Sequence, residues 1–496
     1  MKRWMLAAAT LLLCLSAAAA QAMTITGLET ESVMRKWEEN AFFPRMQELT
    51  GVEMQPHGVD DEKAYAEMID GMLSGEIPAD VLFKARLSRE QEIALLDAGA
   101  LIDLAPLIEE NMPNLSALLD AHPEWRQSIA LEDGRIASLP QLNEADRQVC
   151  VWINRAWLDT LGLPMPQTVE ELTGALLAMK NGDPNGNIDA DEIAADLTGV
   201  YEMRWLLPFF GVVADDYNLA RDAQGELVFA PELPEYRTFV GTLRDWYDQG
   251  ILTGDAFTAL HSAQAYTSSS SNNDNTVKSG LLVTVTPYTH IAAEAVFDFE
   301  PLLLAGPDGS VRWRDLLGGV WTGCFAVTSS CADPAAALRW ADALYSEAGA
   351  LLIYAGVEGK DYVFGDNGYW SFVVDDLYTV ETVRATTIMY TGEIAPGIVP
   401  NDFLKSADSE IDRYVLDRNA QVQAFAERVT LPYALGARDQ ARADELAAQI
   451  GSLVDVGIAR FITGELDLSD ENWNEWIASL QAAGSGELTA LFRAAQ

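Results

Sequence analysis

MTITGLETESVMRKWEENAFFPRMQELTGVEMQPHGVDDEKAYAEMIDGMLSGEIPADVLF, running from Met23 to Phe83, is the stretch on which the fold turns. Met23 to Gly27 is short and β-prone. Glu31 to Leu49 places Val33, Trp37, Phe42 and Met46 at helical spacing. Gly51 to Pro56 reads as a strand, Glu62 to Leu73 as a helix, and Ala79 to Phe83 as a buried strand. Strands that alternate with helices in this way predict parallel sheets covered by helices, an α/β fold.

The pattern continues downstream. Helices follow through Ile93, Leu104 and Leu115, and Val149 to Asn154 is strand-like. Thr168-Val-Glu-Glu171 is a capping box before an apolar helix ending near Met179. Pro234 starts a helix that carries Tyr236, Phe239, Val240, Leu243, Trp246 and Tyr247 and closes at Gly250. Ser268 to Asn275 is polar and aperiodic, an exposed loop. Leu281 to Tyr288 and Gly318 to Thr328 are strand-rich, Asp333-Pro334 caps a helix, and the end of the chain is helical, with stripes through Ile411–Val429 and Leu446–Ile462. The expected architecture is two α/β lobes with a helical C-terminal part. The expected divisions are 23–148 for the first lobe, 149–280 for the second, 281–332 returning to the first, and 333–496 returning to the second.

The 496 residues exceed one core, and 32 Lys plus Arg against 75 Asp plus Glu leave a net charge of -43. Such a chain repels phosphate backbones and anionic lipid, which argues against a nucleic-acid partner. Residues 1–22 read as an export leader: Lys2 and Arg3, an apolar stretch from Trp4 to Leu15, then Ala20-Gln-Ala22 as a cleavage pattern. A lipid anchor through Cys14 is not expected, because Leu13 stands where a small residue is wanted. No later run of 18 apolar residues is apparent, so no further span is expected. Cys150, Cys324 and Cys331 remain; Cys324 and Cys331 could pair or stay as buried free thiols. The four scattered histidines show no zinc spacing.

One short stretch has the chemistry of a hard-cation loop. Asp183, Asn185 and Asn187 alternate, the carbonyl of Asp189 follows, and Asp191 and Glu192 add carboxylates, as calcium requires. Ile188 and Ala194 stand where an ordinary EF-hand has its glycine and its last glutamate, so this is a shorter loop or simply a solvated acidic turn. Thirteen Trp and 15 Tyr supply flat rings that stack on sugars, with Trp205, Tyr288, Trp321, Tyr369 and Trp370 near strand ends or loops. No GxSxG, P-loop or dinucleotide pattern has a supporting context.

Several ordered phrases resemble the extracellular solute-binding proteins, family 1, of carbohydrate ABC transporters, in the lipoprotein-like and alginate-binding branch. They are Val151-Trp-Ile-Asn-Arg-Ala-Trp-Leu-Asp-Thr-Leu-Gly162, Asn181-Gly-Asp-Pro-Asn-Gly-Asn187, and Gly225-Glu-Leu-Val-Phe-Ala-Pro-Glu-Leu-Pro-Glu-Tyr236. Ala335-Ala-Ala-Leu-Arg-Trp340, Leu344-Tyr-Ser-Glu-Ala-Gly349, Gly356-Val-Glu-Gly-Lys-Asp-Tyr362, Phe461-Ile-Thr-Gly-Glu465 and Trp473-Asn-Glu-Trp476 follow. The resemblance implies a type II periplasmic-binding-protein-like fold, two lobes on a hinge, a ligand trapped by closure, and structural calcium at 183–192. It implies a non-enzymatic, exported and monomeric subunit that takes an oligosaccharide and delivers it to a membrane permease. Strand-end position, rather than any ligand motif, makes Thr30, Glu31, Lys84, Arg86, Trp205, Tyr288, Trp321 and Trp370 the ligand-binding candidates. A secreted glycoside hydrolase with two cleft carboxylates, or a binder of peptides or other solutes, would share most of these features.

Overall fold

The computed structural model describes residues 22–29, 36–131, 133–143, 148–257, 276–315, 319–389, 394–430, 435 and 437–495. The leader up to residue 21 with Cys14, the loop Ser268 to Asn275, and the ligand candidates Thr30 and Glu31 lie outside the described residues.

Largely apolar runs, interrupted by Thr24, Thr26, Gln55, His57, Gln141 and Thr322, build the first sheet. Its six strands lie in the order Gly397–Ile398, Leu139–Leu142, Val320–Val327, Val81–Phe83, Met23–Leu28, Met54–Val59. Met23–Leu28 pairs in parallel with both Met54–Val59 and Val81–Phe83, as the alternation predicts. The second strand is Met54–Val59, shifted toward the C-terminus from the expected Gly51 to Pro56. Gly27 has a steric reason: a Cβ there would sit 1.7 Å from the Phe83 carbonyl oxygen. Val320–Val327 enters antiparallel to both Val81–Phe83 and Leu139–Leu142. Beneath this sheet, Trp340 packs its ring edge-on to Phe83 at 5.8 Å and stacks on Phe325 at 6.1 Å.

The second lobe has a three-stranded sheet, Leu281–Thr284, Cys150–Asn154 and Phe299–Pro301, that is wholly antiparallel, unlike the parallel sheet expected. Its core is shared with the helices Val169–Asn181, with Thr168 as its cap, Pro234–Asp248, and the 27-residue Ala437–Thr463, the last two packed on each other. That last helix includes a stretch, Arg438–Thr463, long and apolar enough to cross a membrane, which the sequence reading had not anticipated. Its stripe of Leu446, Ile450, Val454, Ile458 and Phe461 is buried in the second core.

The lobe boundaries differ from those expected. Leu281 to Leu304 and Trp313 join the second core, and Val320 to Val327 join the first. The helix Pro334–Asp342 and the chain through Ala395 stay with the first core, and the second resumes by Val415. A short apolar run carries no mark of which sheet it will join; its hydrogen-bond partners decide that. The chain therefore crosses between the lobes three times, after Leu142, after Trp313 and after Leu404. Cys150, Cys324 and Cys331 are all free and buried.

Two tests follow from this packing. Trp340→Ala is expected to lower stability by about 3–5 kcal/mol, read as a fall in the denaturant midpoint. Trp340→Phe should lose far less, because the indole N–H makes no hydrogen bond. The second concerns Asp215, which accepts from the Tyr217 and Leu219 amides at 3.0 and 2.9 Å and from Thr430 Oγ1 at 2.9 Å. Desolvation outweighs these bonds and pushes its carboxyl from 3.8 up to about 6. A raised folded-state pKa means stability that is present in acid and lost as pH climbs through that window. The stability of the wild type relative to Asp215→Asn should thus fall between pH 3.8 and about 6 and stay flat outside it, measured by urea titration at each pH.

Candidate functional site

A cavity of about 330 Å³ lies where the lobes meet, near the lower end of small-ligand sites. The second lobe contributes Val285, Thr286 and Tyr288, just past the strand Leu281–Thr284, and Asp412, Val415 and Asn419 on the helix Glu410–Gln423. The first lobe contributes Tyr354, Trp370, Phe372, Arg384 and Leu404.

The wall is fixed by hydrogen bonds that leave ring faces in place. Trp370 donates its indole N–H to the Phe403 carbonyl at 2.7 Å and stacks on Phe403 at 4.5 Å, so its orientation is set. Tyr288 donates to Asp412 Oδ1 at 3.2 Å while its side chain stays 37% exposed. The Tyr354 hydroxyl accepts from Gln141 Nε2 at 3.2 Å. Asn419 is fully buried: its Oδ1 accepts from the Gln148 amide at 2.7 Å, and its Nδ2 donates to the carbonyls of Val285 at 3.2 Å and Val415 at 2.9 Å. One polar side chain thus joins the crossing segment, the strand end and the helix. Flat apolar faces beside an arginine and a carboxylate can both stack on a ring and hydrogen-bond its hydroxyls.

Of the sequence candidates, Tyr288 and Trp370 line this cavity together. Arg86 is exposed and Trp321 half-buried. Both sit at the end of the first sheet where the Ala85 amide bonds the Cys324 carbonyl and Trp321 pairs with Gln141, the residue that holds Tyr354. Neither is among the described residues of the cavity wall. Lys84 and Arg86 have left-handed backbones, φ 53° and 50°, sparsely populated for residues with a Cβ. Lys84 is completely buried with Nζ 3.6 Å from Glu29 Oε2, which also accepts from the Trp37 indole at 2.8 Å; it is an internal ion pair and not a group open to the cleft. Trp205 is likewise withdrawn: only 2% exposed, it carries the Arg314 guanidinium over its ring at 4.8 Å and belongs to the second core.

Tyr354, Phe372, Arg384, Asp412 and Asn419 escaped the sequence reading. Asn419 had a signal, a polar residue on an apolar stripe between Val415 and Val422. The others had none, because a cleft wall assembled from distant segments has no period.

The acidic loop folds on itself through side-chain turns. Asp183 Oδ2 accepts from the Ile188 amide at 3.1 Å, Asn185 Oδ1 from the Asn187 amide at 3.1 Å, and Asn187 Oδ1 from the Asp189 amide at 2.8 Å. Ile188, at the glycine position, takes φ 73° and is 91% exposed. Asn185 and Asn187 converge on Asp191, with Nδ2–Oδ1 distances of 3.1 and 3.2 Å, and Lys278 Nζ lies 2.6 Å from Asp191 Oδ2. The Lys278 bond holds the Asp191 carboxyl below its usual range; burial, and then the charges of Asp191 and Asp183, push that of Glu192 up. Among the described residues no group of three His, Cys, Asp or Glu side chains is gathered as a metal cluster. Yet both Glu192 carboxylate oxygens are buried without a hydrogen-bond partner, and every donor here is a hard oxygen or an amide. That residue set fits a hard divalent cation.

No family model matches the chain. It is 28% identical over 335 residues to the fructooligosaccharide ABC transporter substrate-binding protein FusA of Streptococcus pneumoniae, covering 65% of this chain and 61% of FusA. It is 23% identical over 348 residues to lipoprotein LipO of Bacillus subtilis, covering 66% of this chain and 64% of LipO. The aligned stretches thus span less than two thirds of each relative. Among solved structures, FusA as an EF-hand mutant in complex with fructo-nystose superposes with a TM-score of 0.71 at 21% identity, covering 95% of this chain and 97% of FusA. An HMO-binding, ABC-transporter-associated solute-binding protein from Bifidobacterium longum infantis superposes with a TM-score of 0.79 at 20% identity, covering 96% of this chain and 98% of the other. The chain has the mixed α/β fold of these solute-binding proteins and is by sequence a homologue of FusA and LipO.

Proposed function

We propose that this chain is the exported substrate-binding subunit of an ABC importer, which captures an oligosaccharide between its lobes and hands it to a membrane permease. The observation that carries this reading is the cavity built from both lobes, with Tyr288, Tyr354, Trp370 and Phe372 as stacking surfaces, Arg384 and Asp412 as polar partners, and Asn419 as the buried group that holds the second-lobe wall together. Three crossing segments beside it supply a hinge, and closing the lobes over a sugar buries the ligand and presents a changed outer surface to the permease. The sequence relative FusA is named for fructooligosaccharide, which sets the first ligands to try. The reading is of a binder and not an enzyme. Asp412 is the one carboxylate among the described residues of the cavity wall, whereas glycoside hydrolysis calls on two.

Calcium at 183–192 belongs to the same proposal. Asp183, Asn185, Asn187, the Asp189 carbonyl, Asp191 and Glu192 would hold it, and the ion would neutralise a loop whose carboxylates otherwise repel one another. Its role is to brace the second lobe. Export is part of the reading as well. LipO is a lipoprotein, so the mass of the mature N-terminus decides between cleavage after Ala22 and lipidation at Cys14.

Thermal unfolding of the mature protein against a panel of fructooligosaccharides, other neutral and acidic glycans and peptides tests the capture. A ligand present at about 100 times its dissociation constant stabilises by about 2.7 kcal/mol. A glycan that raises the midpoint and is recovered unchanged is the expected result; a cleaved glycan, or a response to peptides alone, overturns it. Tyr288→Ala should weaken that ligand about tenfold by calorimetry, while Trp205→Phe leaves the affinity as it is. For the loop, Glu192→Gln should raise the melting temperature in chelator, by removing a buried unbonded carboxylate, and shrink the rise produced by calcium. A wild-type protein indifferent to calcium and chelator defeats that part.

A further inference from the structure

The acidic loop does not stand alone; a second segment is fastened along it. The Ile193 amide bonds the Lys278 carbonyl at 2.7 Å, the Gly280 amide bonds the Ile193 carbonyl at 2.9 Å, and Ser279 Oγ donates to Asp196 Oδ2 at 2.6 Å. Gly280 packs so tightly that a Cβ there would lie 2.8 Å from the Ala194 carbonyl oxygen. The main chain at 278–280 is therefore pinned, so any rearrangement at this position falls to the Lys278 side chain. Its ammonium reaches Asp191 at 2.6 Å with 17% of the side chain exposed, against 23% for Asp191, so a path to solvent lies beside it.

We propose that Lys278 is an internal competitor for the divalent cation: its ammonium holds Asp191 when the loop carries no metal and swings into solvent when a metal binds. This rests on the calcium reading above and deepens it. Two observations meet here. A positive charge already sits on one carboxylate of the loop, and a second carboxylate, Glu192, keeps both oxygens buried and without a hydrogen-bond partner. The ammonium satisfies Asp191 and does not satisfy Glu192. A doubly charged ion that engages both carboxylates would stand next to Nζ, and like charges at that separation in a half-buried site repel strongly. The amide groups of Asn185 and Asn187, now turned toward Asp191, would have to present their oxygens instead.

The consequence is a loop that stays ordered in both states. Lys278 stabilises the metal-free form, and whatever stabilises the free form more than the bound form weakens binding by the same factor. The lysine would thus set the site toward weak, exchangeable binding while removing the need for metal to hold the second lobe together.

Calcium titration by calorimetry on the full chain, freed of metal, tests this with Lys278→Gln and Lys278→Met as neutral variants and Lys278→Arg as the charge-keeping one. The neutral variants should bind calcium about tenfold tighter than wild type, the loss of one charge-assisted bond from the free state, and the arginine variant close to wild type. In chelator the neutral variants should melt lower than wild type and gain more from calcium. If wild type binds calcium and the neutral variants bind it equally or more weakly, the competition is wrong and the calcium site stands. If neither wild type nor the variants bind calcium, site and competitor fall together.

Discussion

A strand in the middle of a sheet must satisfy its amides and carbonyls on both sides, and Val320–Val327 has to do so between Val81–Phe83 and Leu139–Leu142. Those partners lie far back in the chain, on the other side of the whole first passage through the second lobe. The first sheet is complete only when the chain returns, and that return makes one of the three crossings. Everything that follows in space depends on this insertion. It leaves the ends of Leu139–Leu142 and Leu281–Thr284 near the junction, and with them Val285 and Tyr288 in the cavity wall and Gln141 behind Tyr354.

The junction is both linked and open. Asn419 ties the crossing at Gln148 to the strand end at Val285, so second-lobe parts of the wall hold a fixed relation to one another. On the first-lobe side Trp370 is braced from behind by Phe403, and its small cluster with Tyr362 stands apart from the main cores. A wall rigid within each lobe and divided between lobes can present preset surfaces that a domain motion brings together. The charge of the molecule as a whole is a poor guide to this place. Despite a net charge of -43, the described wall sets one arginine against one carboxylate.

Local structure was legible where one residue decides it. Thr168 and Asp333 cap the helices they were expected to cap, each accepting from the backbone amide three residues on, and Glu62–Leu73 forms as read. The alternation of Met23 to Phe83 foretold the parallel half of the first sheet. What could not be read was partnership. Leu281 to Val283 and Phe325 to Val327 are equally apolar, yet one run joins the second sheet and the other the first, because register is set by strands more than a hundred residues distant. The site shows the same division. Tyr288 and Trp370 were found because they follow or begin strands; Trp205 looked alike, but a short helical turn carries it inward to meet Arg314. Lys84 was placed rightly after its strand, and the pairing with Glu29 that buries it is a contact between two separate strand ends.

The triple crossing also bears on the order in which the molecule can assemble. Neither lobe is a continuous piece of chain, so during synthesis Val81–Phe83 keeps an unsatisfied edge until Val327 has been made, and the second core lacks its long helix until residues near Thr463 arrive. Contacts of such sequence separation form late and slowly. A nascent chain of this layout can complete neither lobe until most of its length has been made. Late completion of both lobes is the property that suits a chain to passage through a narrow protein-conducting channel, where a finished lobe would not fit.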